Sequence, residues 1–119
     1  MSSNKSALFL ALAWAMCWAR AEPKAVCPQK VPVDGIVRPL VNASLFDGPP
    51  EALVELMPDL SNSVWNLGSF QHAQRERKTH FYLVCQYKGS EKQVILEIPY
   101  SAKFCAIEGI RGGIMAACR

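Results

Sequence analysis

This chain has almost no histidine, no long apolar run and no large excess of charge of either sign. Two histidines stand in 119 residues, and read along the sequence neither His72 nor His80 has an acidic partner at ligand spacing. With no H-E-x-x-H motif, a zinc hydrolase of that type is excluded. The five cysteines include no C-x-x-C pair, which removes the usual thiolate metal cage. There is no G-x-S-x-G elbow, and Gly109-Ile110-Arg111-Gly112-Gly113 lacks the lysine and the preceding buried strand of a phosphate-binding loop. An enzyme needs a nucleophile with its base, a carboxylate pair or a metal cluster. None is legible, so the sequence predicts a protein with no catalytic role, no cofactor and no metal. The longest apolar run, Ala7 to Trp18, has twelve residues, where a membrane-spanning helix needs about twenty. No internal repeat or low-complexity tract is visible.

What is present begins with an export signal. Lys5 gives a short positive start, the apolar run follows, and Ala19-Arg20-Ala21 puts small residues at the two positions a signal peptidase reads. Cleavage is expected after Ala21. The alternative, a lipid-anchored N-terminus at Cys17, is disfavoured by Met16 before that cysteine. Removing 21 of 119 residues leaves 98, Glu22 to Arg119, enough for one domain. The 13 basic residues lose Lys5 and Arg20, so 11 stand against 10 acidic ones, a net charge of +1. That balance argues against a nucleic-acid or polybasic membrane surface. Trp14 and Trp18 also leave, and Trp65 remains as the single tryptophan, expected to be a buried anchor.

Four cysteines remain: Cys27, Cys85, Cys105 and Cys118. An even number in an exported domain implies two disulfides. Three connectivities are open. We favour Cys85–Cys105 with Cys27–Cys118, which by loop closure would contribute about 3 and about 4.5 kcal/mol.

The strongest local signal runs from Thr79 to Pro99. Two runs of aromatic and β-branched residues flank Lys88-Gly89-Ser90-Glu91, which predicts a β-hairpin. Phe81, Leu83, Cys85 and Tyr87 fall on one face of the first strand; Val94, Leu96 and Ile98 fall on one face of the second. An isolated hairpin is marginal in water, so further strands or a helix must cover it. Before it, the segment from Val31 to Val41 reads as edge strands, broken by Pro32, Asp34-Gly35 and Pro39. Pro50 to Met57 has helical spacing, with Leu53, Leu56 and Met57 as a stripe expected to lie on the hairpin. Val64 to Leu67 reads as a strand, Gln71 to Lys78 as a solvated turn, Phe104 to Ile107 as a last strand, and the glycine-rich end as a flexible tail. The fold class is α+β: an antiparallel sheet of roughly four to six strands with one short helix, or the same strands closed into a small sandwich or barrel.

The order Cys27-Pro28, Phe46-Asp47-Gly48-Pro49-Pro50-Glu51, Leu56-Met57-Pro58-Asp59, Trp65-Asn66-Leu67, Cys85-Gln86-Tyr87 and Ile98-Pro99 before Cys105 resembles a family of small periplasmic proteins of bacterial type VI secretion loci. Among its members are immunity proteins that neutralise peptidoglycan-targeting effectors of the L,D-transpeptidase type. The resemblance implies a periplasmic protein that binds a cognate effector toxin and blocks its active site. A lysozyme-type inhibitor, or a non-enzymatic envelope or secretion accessory protein, is the alternative. Two contact segments are proposed: the projecting turn Asp47, Gly48, Pro49, Pro50 and Glu51, and the basic segment Arg75, Arg77 and Lys78.

Overall fold

The computed structural model describes residues 22–59 and 63–119. The predicted signal peptide, residues 1–21, lies outside the described residues. Among the described residues, nine antiparallel strands form two sheets: β1 (Ala25–Val26), β2 (Lys30–Val33), β3 (Ile36–Asp47), β4 (Glu55–Leu56), β5 (Val64–Asn66), β6 (Phe81–Tyr87), β7 (Gln93–Glu97), β8 (Phe104–Ile110) and β9 (Gly113–Cys118). One sheet has the order β1-β9-β8-β5. The other has β2-β3-β6-β7, with β4 also pairing β3. One α-helix, α1 (Gln71–Glu76), and a 3-10 turn at Pro50–Ala52 complete the described part.

The predicted hairpin is β6 and β7, with Leu83 opposite Leu96 and Cys85 opposite Val94. Alternation carries its burial as expected: Phe81, Leu83, Cys85 and Tyr87 are all buried. Strand β3 supplies the missing partner, pairing β6 from Leu40–Tyr87 to Asp47–Phe81. Along the sequence its first part reads as a broken edge strand ending at Val41, yet it is one continuous strand to Asp47. Its first residues pair β2 across a two-residue turn in which Asp34 and Gly35 both have positive φ, 52° and 77°. That is the backbone twist a tight hairpin requires. Pro39 interrupts little, because it sits just before the register shift between Leu40 and Asn42, where β3 gains its second partner.

Residues 50–57 do not form the predicted helix. After the 3-10 turn, Leu53 reverses the chain at φ +60°, and β4 pairs the far edge of β3, Leu56 opposite Leu45. Two helical turns are marginal alone, and an open strand edge satisfies the backbone better. Of the expected stripe only Leu56 packs against the core. The helix lies instead over Gln71 to Glu76. It lacks an apolar stripe, and its two buried residues are glutamines. Gln71 Nε2 donates to the carbonyls of Pro99 and Ala102, at 3.1 and 2.9 Å.

The glycine-rich end is not a flexible tail. Ile110 pairs with Gly113 around Arg111-Gly112, Gly112 at φ +85°, and β9 returns along β8. This overturns the favoured disulfide pairing. Cys105 and Cys118 are directly opposed in that hairpin and bonded to each other. Cys27, whose N–H donates to Ala116 O at 2.9 Å beside β9, bonds Cys85 in β6, and so ties the two sheets together. Both bonds lie in one core with Leu45, Trp65, Leu67 and Leu83. Trp65 is the expected buried anchor, its indole N–H donating to Leu56 O at 2.9 Å.

Candidate functional site

The two segments singled out in the sequence meet at one end of the molecule, where β3 ends and β6 begins. Asp47 is opposite Phe81, and Gly48 N–H donates to His80 O at 2.9 Å. Gln74 of α1 joins them: its Nε2 donates to Asp47 Oδ1 at 2.6 Å, and its Oε1 accepts the Thr79 hydroxyl. Asp47 therefore works inward, as the anchor of the helix, and Gly48, at φ +83°, is buried. Pro49 and Glu51 are exposed and Pro50 is half-buried at the start of the 3-10 turn. Arg75, Arg77 and Lys78 are exposed on and just after α1. Among the described residues no carboxylate is ion-paired to any of the three. Arg75 lies over the ring of Tyr100 at 5.3 Å.

Both histidines find acidic partners. His72 Nε2 is 3.0 Å from Glu76 Oε1 one helical turn on, a spacing hidden while this stretch is read as a turn. His80 Nδ1 is 3.0 Å from Glu97 Oε1, and its ring stacks on Tyr100 with centroids 4.1 Å apart. Tyr82, beside this cluster, has its pKa raised above the ordinary 10.0. Desolvation is the main cause, and the negative charges of Glu97 and Glu51 add to it. No group of three or more His, Cys, Asp or Glu residues that could hold a metal occurs among the described residues. No helix among them is long and apolar enough to cross a membrane.

Next to this surface lies a groove of about 260 Å³ between β4, α1 and the start of β6. Leu45, Trp65, Leu67 and Phe81 make its floor, while Met57 and Phe70 stand at its rim. Met57 is 78% exposed, Phe70 58%, and Leu53, at the tip of the adjoining turn, 82%. Ile36, Val37 and Ile95 are also exposed elsewhere, so what sets this end apart is the groove that its exposed apolar residues adjoin.

A model of the type VI secretion system Tli immunity protein family matches residues 34–119. This chain belongs to that family. No curated protein and no solved structure matches it. Every residue of the turn, the basic segment and the groove falls within the Tli match, whereas Cys27 precedes it. In this Tli protein the exposed apolar residues are the part that the sequence did not reveal. In the sequence Leu53 and Met57 read as members of a packed helical stripe. Phe70 is the one that carried a signal, a lone aromatic between Gly68-Ser69 and a polar stretch.

Proposed function

We propose that this Tli-family protein is exported to the periplasm, with residues 1–21 removed after Ala21, and there neutralises a type VI secretion effector by binding it and covering its active site. The effector is directed at peptidoglycan. Neutralisation is by binding alone, with no catalytic step. Leu53 is the observation that carries this reading. The Leu53 backbone closes the 3-10 turn, but its side chain lies almost fully in water and takes no part in the core. At the tip of a turn stiffened by Pro49 and Pro50, it is suited to enter a cleft of a partner. Rigidity supports the same reading, because two disulfides and a tied pair of sheets limit what must be ordered on binding. The disulfides also favour an oxidising compartment.

The test is co-expression. The product of the neighbouring gene is directed to the periplasm with this protein, with a version lacking residues 2–21, or with neither. Rescue of growth by the full chain only is the expected result. Cross-linked muropeptides and released phospholipid are measured in the intoxicated cells. Loss of cross-links is expected. Phospholipid release with intact peptidoglycan would overturn the peptidoglycan assignment, and failure of rescue would overturn the immunity reading.

A further inference from the structure

The turn at Leu53 projects, but the groove beside it is concave, and the two imply different halves of one contact. We infer that the groove is a socket for a bulky apolar side chain of the effector, and that a carboxylate on the same effector segment meets Arg77 at its edge. The inference rests on the immunity reading above and adds the chemistry of the partner.

Size comes first. A dry cavity of about 150 Å³ accepts a benzene ring, so about 260 Å³ admits an aromatic or large aliphatic side chain. Three polar groups of the lining are engaged within the fold. The Trp65 indole N–H is taken by Leu56 O, the Asp47 carboxylate accepts from Gln74, and Asp59 Oδ2 accepts from the Asn66 N–H at 2.6 Å. The apolar contact is offered by the floor itself, Leu45, Trp65, Leu67 and Phe81, whereas the carboxylates of Asp47 and Asp59 each accept more than one bond. The charge at the edge is not spent. Arg77 lines the groove and has no ion-pair partner among the described residues, whereas its neighbour Glu76 is engaged by His72. Exposed Arg75 and Lys78 add to the same sign on the α1 side, while Asp47 and Asp59 carry the opposite sign on the other part of the lining. An apolar anchor flanked by an acid is the complement of this surface.

The experiment measures affinity for the neighbouring gene's product by calorimetry, with the melting temperature of each variant as a folding control. Ala73→Trp fills the groove from the exposed side of α1, and Arg77→Glu reverses the charge at its edge. Each is expected to weaken binding roughly ten- to a hundred-fold. Phe70→Ser, at an exposed rim position, reads the same socket if Ala73→Trp melts early. Val37→Ser, exposed at the opposite end of β3, is expected to bind like the wild type. An effector acid changed to Arg should restore the Arg77→Glu variant. Unchanged affinity in both groove variants, with the wild type binding, would overturn the socket and leave immunity standing. No binding by the wild type would remove the immunity reading and the socket with it. Self-association abolished by Ala73→Trp, with effector binding intact, would assign the groove to a second copy of the chain and overturn the inference.

Discussion

Leu53 concentrates the conflict between stability and contact. Its left-handed backbone costs about 1–2 kcal/mol for a residue with a side chain, and its exposure returns no burial to offset this. Glycine adopts the same φ freely but gives up about 0.5–1 kcal/mol to unfolded-chain entropy. Leu53→Gly should therefore leave stability in urea unchanged or raise it by up to about 1.5 kcal/mol, while effector affinity falls about tenfold. A destabilised variant with full affinity would contradict the assignment. Tyr87 works the other way. Its hydroxyl donates to Pro28 O at 2.8 Å beside the Cys27–Cys85 bond, so Tyr87→Phe should lose about 1 kcal/mol. Burial raises the Tyr87 pKa above its ordinary 10.0. The folded state thus favours the neutral phenol, and this stability is fully present below the unfolded value near 10. It is lost as pH rises from there through the folded value. Urea unfolding at pH 8 and pH 11 should show the gap between wild type and Tyr87→Phe closing at the higher pH.

Among the elements, the two disulfides differ in what they join. Cys27–Cys85 closes a sequence separation of 58 and crosses between sheets; Cys105–Cys118 closes 13 within one hairpin. Loop closure puts them at about 4 and about 3 kcal/mol. Denaturant unfolding of Cys27→Ala/Cys85→Ala and Cys105→Ala/Cys118→Ala should rank them in that order, the first also loosening the tie between the two sheets. The short helix α1 is an element of another kind. Glutamine amides hold it, through Pro99 and Ala102 on one side and Asp47 on the other. Hydrophobic periodicity has no view of such an anchor, which is why a polar octapeptide reads as a solvated turn.

For the whole molecule, folding and immunity should depend on the compartment. A chain whose sheets are tied by Cys27–Cys85 reaches its stable form where thiols are oxidised. In cells lacking their periplasmic thiol oxidase, rescue from the effector should fall together with the amount of folded protein. Equal rescue in both backgrounds would show that the sheets hold without their tie. The twelve residues of β3 separate the β2 hairpin from the turn, and the turn, α1 and the groove all gather where β3 stops.

The amino-acid order by itself determined the β6–β7 hairpin, the buried Trp65 and the presence of two disulfides among Cys27, Cys85, Cys105 and Cys118. Each is a local property: alternation along a strand has period two whatever it packs against, and cysteines are counted without knowing their neighbours. Tertiary structure alone decided the rest. Cysteine pairing followed from β8 and β9 lying side by side, with Cys105 opposite Cys118. The fate of residues 50–57 followed from the open edge of β3. Short segments have almost no intrinsic preference strong enough to survive alone, so their conformation, and with it the exposure of Leu53 and Met57 around the groove, is set by whichever partner the fold brings beside them.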